Sequence, residues 1–297
     1  MNPPLNMTAA GLNADTRTLS ILPGLRLPPG WELRVAPDYE QGSALAADWL
    51  RRALRGKSDL LLCAATGHSP ARAYALFAGS LMARGEPRSG LRLLKLDEWG
   101  GLSMQDPATC EVCLQKLLVG PLGLGADRFI AFQSDAASPE LECRSIAAWL
   151  EENGPADVCL LGLGINGHLG FNEPADELPP GCHVARLTEE TLSHPTLTLT
   201  RQRPGYGLTL GMRDILASRT ILLLVFGPRK AAQLERLFAG GISTRFPASF
   251  LMLHPRVVCI CDEAAGARLP NEWKRSHLES GLSLSQPASP PSLLNPR

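Results

Sequence analysis

The 297-residue sequence lacks any apolar run long enough to cross a membrane. Its longest runs, such as Ile221–Phe226, are far shorter than the ~20 residues that a bilayer requires. The N-terminal stretch also lacks a charged segment followed by an apolar run, so we expect no secretory signal and a cytoplasmic protein. There is no excess of either charge, because 29 Lys and Arg balance 29 Asp and Glu. This balance argues against a nucleic acid or a membrane as partner. An anionic substrate would have to be bound by a local site, since the protein as a whole has no positive field to attract it.

The sequence also lacks a zinc motif and a Walker-type nucleotide loop. Cys110 and Cys113 have C-x-x-C spacing, but no second pair or paired histidine follows, and their flanks predict a helix. We interpret the eight cysteines as free thiols in a reducing compartment. The pattern G-x-x-x-x-G-K-[ST] does not occur.

Short apolar runs alternate with helical patterns along the chain. Predicted strands are Asp59–Ala65, Leu91–Leu96, Arg128–Phe132, Asp157–Gly162, Thr220–Phe226 and Arg256–Cys261. Predicted helices are Tyr39–Leu54, Pro70–Arg84, Cys110–Leu118, Leu141–Glu152 and Arg229–Ala239. Strands that are apolar on both faces indicate a buried parallel sheet. The alternation predicts an α/β fold with a doubly wound, mostly parallel sheet flanked by helices.

We see no internal repeat and no linker, so residues 1–297 are predicted to form a single domain. Its ordered core is expected at about residues 21–282. The N-terminus and the tail from about Ser283 are rich in Pro, Ser and Asn and are predicted to be disordered.

In such sheets, ligands bind beyond the carboxyl ends of the strands. The first predicted strand is followed by Thr66, Gly67, His68, Ser69 and Pro70. Pro70 fits the first position of a helix, and small residues with free N–H groups at a helix start favour an anion. The alternative is a plain strand–helix turn with Ser69 as N-cap.

Charged residues follow two further strands. Asp97 and Glu98 stand together at a strand end, where one carboxylate can face a cleft while the other is solvated or structural. The neighbouring Trp99 could desolvate a carboxylate and raise its pKa; the alternative is a surface turn. After the fifth strand, Lys230 opens a predicted helix and could hold a phosphate, unless it is a solvated lysine.

A glycine-rich loop, LGLGINGHLGFNEP, follows the fourth strand. It contains the G-x-G-x-x-G pattern of dinucleotide sites. That pattern must open a helix, whereas Pro174, Pro179 and Pro180 follow here, so we reject a dinucleotide site.

The same loop brings three polar residues together: Asn166, His168 and Glu173. A histidine close to a carboxylate can act as a general acid–base near neutral pH. A metal site would need a third ligand, and none stands nearby. A purely structural histidine is the remaining alternative.

These motifs resemble the glucosamine-6-phosphate deaminase family over roughly residues 35–265. The resemblance rests on ATGHSPARAY, KLDEWGGL, LGLGINGHLGFNEP, GLTLGMRDIL, FGPRK and PASFLMLHP, in the family's order. Related 6-phosphogluconolactonases share the fold but not FNEP. Within the family the chain looks most like the galactosamine-6-phosphate deaminase/isomerase branch, on KLDEW, Thr109-Cys110-Glu111 and PASFLMLH. The implied fold is Rossmann-like, of the glucosamine-6-phosphate deaminase type.

The resemblance implies catalytic roles for four residues. Asp97 would be the enolisation base, His168 would open the sugar ring, and Glu173 would orient and charge-balance His168. Asn166 stands where some members have Asp, so it would orient His168 by hydrogen bonding without adding a charge.

The resemblance also implies how the substrate is held. The phosphate would bind to Thr66, Gly67, His68, Ser69 and Lys230. Glucosamine-type members add an arginine after the helix that follows FNEP, and here Arg201 or Arg203 are its candidates. No metal or organic cofactor is implied. The implied partner is a small-molecule sugar phosphate, and family members range from monomers to hexamers, which leaves a homo-oligomer open.

The implied reaction converts galactosamine 6-phosphate to tagatose 6-phosphate and ammonia. Three alternatives stay open: a glucosamine-6-phosphate deaminase giving fructose 6-phosphate, a 6-phosphogluconolactonase, and a non-catalytic sugar-phosphate-binding regulator.

Overall fold

The computed structural model of the protein describes residues 27–271. The disorder predicted for the N-terminus and for the tail from about Ser283 lies outside these residues. Among the described residues, no helix is both long enough and apolar enough to span a bilayer.

Ten strands and eight α-helices make up the described chain. The strands are β1 (Trp31–Ala36), β2 (Leu60–Ala64), β3 (Leu91–Lys95), β4 (Asp97–Gly100), β5 (Phe129–Ile130), β6 (Val158–Gly162), β7 (His183–Ala185), β8 (Tyr206–Thr209), β9 (Thr220–Val225) and β10 (Val257–Asp262). The helices are α1 (Tyr39–Arg55), α2 (His68–Ala83), α3 (Cys110–Leu114), α4 (Gly120–Leu122), α5 (Pro139–Asn153), α6 (Glu189–Leu192), α7 (Met212–Leu216) and α8 (Ala231–Phe238).

Seven strands form a parallel sheet in the order β1-β10-β9-β6-β2-β3-β5. Successive side chains of a strand point to opposite faces. On β2, Leu61 and Cys63 therefore enter one buried apolar cluster, with residues of α5, α7 and α8, while Leu60 and Leu62 enter another, with residues of α1, α2 and α3. Helices cover both faces, which confirms the predicted doubly wound, mostly parallel α/β fold.

The six predicted strands correspond to β2, β3, β5, β6, β9 and β10. Their bounds agree closely except at Arg128–Phe132, where only Phe129–Ile130 pairs with β3. The residues before it, Ala126–Arg128, form a 3₁₀ turn instead. The prediction missed β1, the edge strand beside β10.

The five predicted helices are present, with three corrections. Pro70 is the third residue of α2 and not the first, because the helix already begins at His68 with Gly67 as its N-cap. The helix predicted over Cys110–Leu118 begins as α3 and passes into a π-helical turn at Gln115–Val119. Lys230 does not open α8 but ends a 3₁₀ turn, Pro228–Lys230, that precedes it.

A second sheet of three antiparallel strands, β4-β8-β7, was also missed. The chain passes from the large sheet to this one at Leu96. The N–H of Leu96 still donates to Ala64 of β2, while its carbonyl already accepts from Leu210, just after β8. Asp97 is therefore the first residue of a new strand and stands between the two sheets.

The chain order reverses beside β2. From β2 it runs outward through β3 to β5, then returns to β6 on the other side of β2 and continues to β9 and β10. Such a reversal leaves a crevice between the loops that follow the two central strands. Here those loops begin at Ala65 after β2 and at Leu163 after β6, so the polar motifs of the sequence face one another.

Candidate active site

The loop after β2 joins the sheet to the N-terminus of the 16-residue helix α2. Gly67 has φ 97°, a conformation that side chains rarely adopt, and supplies no side-chain cap to the helix. The first-turn N–H groups of α2 therefore receive no side-chain acceptor from Gly67. Ser69 lies against the end of β6, because a β-carbon on Gly162 would be 3.9 Å from its Oγ.

The other side chains of this loop have separate partners. The hydroxyl of Thr66 donates to Sγ of Cys110 at 3.0 Å. The exposed ring of His68 stacks on Tyr39 with centroids 4.6 Å apart, and its carbonyl accepts from the Tyr39 hydroxyl. The imidazole of His68 is thus held against α1, and His68 contributes to the loop chiefly through its main chain.

Lys230 stands on the loop after β9, two strands from β2. Gly227 begins this loop, and its N–H donates to both carboxylate oxygens of Asp262, at 3.0 and 2.9 Å. The buried Asp262 ends β10, so it fixes the loop to the sheet. Burial, assisted by the charge of Arg229, lowers the pKa of Lys230 to about 8. A half-buried ammonium of this kind gains from an anionic partner.

Asp97 is a buried carboxylate. Burial raises its pKa to about 7, and the charge of Glu98 acts in the same direction. Lys95 and the thiol of Cys110, whose Sγ is 3.8 Å from Oδ1, oppose the shift only in part. Asp97 can therefore accept or release a proton near neutral pH.

Glu98 is fully buried and has a structural role. Its carboxylate accepts the N–H groups of Trp99, Cys110 and Glu111, each at 2.8 Å, and pairs with Lys95 at 2.7 Å. It thereby holds the start of α3 against β4. The adjacent carboxylates do point in different directions, and Glu98 is the structural one.

The loop after β6 contains a tight turn. The N–H of Gly164 donates to the carbonyl of His168, and the N–H of Gly167 donates to that of Gly164. A β-carbon on Gly164 would lie 2.5 Å from the His168 ring, so only glycine lets the imidazole fold back over the turn. No helix begins between this turn and α6 at Glu189 in the described chain, so the G-x-G-x-x-G pattern does not open a helix here.

His168, Glu173, Asn166 and Thr191 form one hydrogen-bonded group. Nδ1 of His168 lies 3.5 Å from Oε2 of Glu173 and 3.4 Å from the Thr191 hydroxyl. Asn166 donates to Oε2 of Glu173 at 2.9 Å and accepts the main-chain N–H of His168 at 3.1 Å. Thr191 donates to the other oxygen of Glu173. Burial would raise the pKa of Glu173, but its bonds from His168, Thr191 and Asn166 outweigh burial and lower it.

This group leaves the His168 imidazole with a defined orientation. Because Nδ1 faces the Glu173 carboxylate, the proton of the neutral ring is favoured on Nδ1, and Nε2 is available for proton exchange. Asn166 links the carboxylate to the loop without adding a charge.

Two site residues were missed by the sequence reasoning. Thr191 is buried and bonded to Glu173, although it stands 18 residues further along the chain. Cys110 lies between Thr66 and Asp97, whereas its C-x-x-C spacing suggested only a helical thiol. Neither residue has a local signal for this role, because each reaches the candidate site only through the fold.

The two arginines considered as phosphate ligands are exposed. Arg203 forms an ion pair with Glu189 at 2.6 Å, with both side chains largely in solvent. Arg201 is exposed in the same segment. Neither exposure nor this ion pair supports either arginine as a phosphate ligand. Among the described residues, no group of three or more His, Cys, Asp or Glu side chains could hold a metal ion.

Comparisons with known proteins identify the family to which the chain is related. A family model described as "Glucosamine-6-phosphate isomerases/6-phosphogluconolactonase" matches residues 39–259. A protein of Escherichia coli (strain K12) named "Putative deaminase AgaI" is 38% identical over 232 residues, covering 78% of this chain and 92% of its own. A protein of Streptomyces coelicolor named glucosamine-6-phosphate deaminase is 32% identical over 241 residues, covering 80% and 92%.

Solved structures show the same relationship. A structure described as a monomeric glucosamine-6-phosphate deaminase of the NagB superfamily superposes with a TM-score of 0.75 at 31% identity, covering 80% of this chain and 99% of that one. A 6-phosphogluconolactonase from Trypanosoma cruzi has a TM-score of 0.66 at 17% identity, covering 82% and 97%, and shares the fold. The chain belongs to the glucosamine-6-phosphate isomerase/6-phosphogluconolactonase family.

Proposed function

We propose that the protein is a deaminating isomerase that converts an amino-sugar 6-phosphate and water to a ketose 6-phosphate and ammonia. The observation that carries this proposal is the presence of two groups suited to proton transfer, Asp97 and His168, at the same edge of the large sheet. Asp97 has a pKa of about 7, and His168 is oriented by Glu173. The anion site at the start of α2 and the cation Lys230 stand at the same sheet edge.

The first step of the proposed reaction opens the pyranose ring. His168 moves a proton from the O1 hydroxyl to the ring oxygen O5, so that the C1–O5 bond breaks and an aldehyde forms. Glu173 stabilises the imidazolium that arises on the way, since its carboxylate is held by Thr191 and Asn166 and stays charged. Asn166 hydrogen-bonds both the Glu173 carboxylate and the main-chain N–H of His168, and so fixes their relative positions.

The second step moves the double bond. The Asp97 carboxylate takes the proton from C2 while solvent protonates O1, giving an enolamine, and then returns its proton to C1, which leaves a protonated imine at C2. Water adds to the imine carbon and ammonia leaves, which gives the ketose. These transfers require a base whose pKa lies near the working pH, and Asp97 meets that requirement.

We propose that the substrate phosphate lies at Thr66, Gly67, His68 and Ser69, with Lys230 as its counter-ion. The helix start supplies N–H donors, and the lysine supplies charge. The described residues 27–271 would act as a single unit, because the crevice draws on loops from both halves of the sheet.

For the epimer, we propose galactosamine 6-phosphate, with tagatose 6-phosphate as product. Support comes from KLDEW, Thr109-Cys110-Glu111 and PASFLMLH, the motifs on which the chain resembles that branch. Glucosamine 6-phosphate is the second candidate, favoured by the names of the Streptomyces relative and of the solved structure at 31% identity.

One experiment separates deamination from lactone hydrolysis. Purified protein is given galactosamine 6-phosphate, glucosamine 6-phosphate or 6-phosphogluconolactone, and ammonia and lactone loss are measured. We expect ammonia from an amino sugar phosphate and no acceleration of lactone hydrolysis. Lactone hydrolysis without ammonia would favour a lactonase, and binding without turnover of any of the three would favour a regulator.

A further inference from the structure

His194 is a histidine of the crevice to which the sequence reasoning gave no role. It directly precedes the 3₁₀ helix Pro195–Leu199, and its Nδ1 accepts the N–H of Thr196 at 3.2 Å. Its ring centroid lies 6.2 Å from that of Trp99. The other end of the ring faces the loop after β2, since a β-carbon on Gly67 would be 3.8 Å from Nε2.

The Thr196 contact fixes the state of the ring. A nitrogen that accepts a main-chain N–H carries no proton, so the proton of a neutral imidazole is on Nε2. Burial lowers the pKa of His194, and electrostatic interactions with His168 and Lys230 act in the same direction. At neutral pH the ring is therefore uncharged and directs an N–H donor towards Gly67.

Two separate parts of the proposed phosphate site lie near the Nε2–H donor of His194. Gly67 is the middle of the loop at the start of α2, and Lys230 comes from the loop after β9. His194 is close enough to Lys230 to feel its charge and close enough to Gly67 to contact a ligand seated there. Arg201 and Arg203, in contrast, are exposed, and Arg203 is paired with Glu189.

We propose that Nε2–H of His194 donates a hydrogen bond to the substrate phosphate, in the place for which Arg201 and Arg203 were considered. This inference rests on the proposed function, because it assumes a 6-phosphate at the Thr66–Ser69 loop. It makes His194 a binding residue that adds a donor to the site without adding a positive charge.

Three variants separate binding from structure. His194→Ala removes the donor and the N-cap of the 3₁₀ helix. His194→Asn keeps a side-chain acceptor for the Thr196 N–H, since Asn is a good N-cap, but is too short to reach Gly67. Arg203→Ala is the matched control from the same segment, and thermal unfolding reports on the fold of all three.

The probes are inorganic phosphate and glucitol 6-phosphate, a sugar phosphate that cannot open, isomerise or release ammonia. Their Kd values are measured by calorimetry on each variant, with ammonia release followed in parallel. Both His194 variants should raise the Kd of glucitol 6-phosphate by about tenfold or more, the usual effect of losing a hydrogen bond to a charged group. Arg203→Ala should leave it unchanged.

Wild-type Kd values in both His194 variants would overturn the inference. So would weak binding in His194→Ala that His194→Asn restores, because the side chain would then act only as a cap. Failure of wild-type protein to bind either probe would also overturn it. The proposed function is judged separately: weakened binding in the variants without ammonia release by wild-type protein would sustain the role of His194 and reject the deaminase.

Discussion

The carboxylates of Asp97 and Glu98 are adjacent in sequence but lie in opposite surroundings. Glu98 accepts four hydrogen bonds, from Lys95 and from three main-chain N–H groups. Asp97 instead meets the weak thiol donor of Cys110, 3.8 Å away. Burial and the charge of Glu98 raise the pKa of Asp97 to about 7. One carboxylate thus holds the structure, and the other is left able to exchange a proton.

Replacing Asp97 by Asn should lower kcat by ~10²–10⁴, the usual contribution of a general base. The amide keeps the shape of the side chain but cannot take the C2 proton. The measurement is steady-state ammonia release from galactosamine 6-phosphate, with a thermal melt to establish that the variant is folded. A folded variant with near-wild-type kcat would remove Asp97 from the mechanism.

The pH dependence of kcat/KM should be bell-shaped. Asp97 acts as a base only when deprotonated, so activity should rise with pH up to about 7, the pKa of its carboxyl. Lys230 holds phosphate only when protonated, so activity should fall above about 8, the pKa of its ammonium. An acid limb near pH 4, where an ordinary aspartate titrates, would contradict the assignment of Asp97.

Lys230→Met should mainly raise KM, by about tenfold or more, because it removes a charged hydrogen bond to the ground-state phosphate. The apolar replacement fills similar space, so kcat should change little. The control is Arg229→Met, which removes an exposed cation one residue earlier. A large kcat loss at constant KM would argue that Lys230 acts in the chemistry instead.

Gly164→Ala should lower kcat while leaving phosphate binding intact. The added methyl group would stand 2.5 Å from the His168 ring, which must then leave its place beside Glu173. The control is Gly79→Ala on α2, where nothing lies within 4 Å of a β-carbon. Kinetics and the Kd of inorganic phosphate are compared, and wild-type kcat in Gly164→Ala would show that the His168 position is not critical.

Glu98→Ala should destabilise the fold by about 3–5 kcal/mol, since it leaves the buried ammonium of Lys95 without its closest partner. The N–H groups of Cys110 and Glu111 would lose their acceptor as well. Urea unfolding measures the free energy, and Glu40→Ala, which breaks an exposed pair with Arg72, is the control. A loss below 1 kcal/mol would contradict the structural role of Glu98.

Much of the large sheet could be predicted because its strands are buried on both faces. Runs such as Thr220–Val225 are almost wholly apolar and end at charged or glycine-rich turns, which is a strong local signal. The strand β1 has a mixed burial pattern at the sheet edge, and β4 begins with two carboxylates, so neither has that signal. Their pairing is set by tertiary contacts.

The candidate site could be predicted where its residues follow strands directly. Asp97, the Thr66–Ser69 loop and the His168 loop come straight after β3, β2 and β6, and the sheet brings them to one edge. Thr191 and His194 lie in the long segment between β7 and β8, and only tertiary packing brings them to the crevice. Arg203 was considered because it lies in the segment where glucosamine-type members have an arginine, yet it pairs with Glu189 in solvent.

The most direct test of the account is ammonia and ketose 6-phosphate formation from galactosamine 6-phosphate and glucosamine 6-phosphate, measured side by side with the purified protein. The account predicts equal amounts of ammonia and ketose, with the higher kcat/KM for galactosamine 6-phosphate. A higher kcat/KM for glucosamine 6-phosphate would contradict the proposed epimer, and the absence of ammonia from both substrates would contradict the proposed reaction itself.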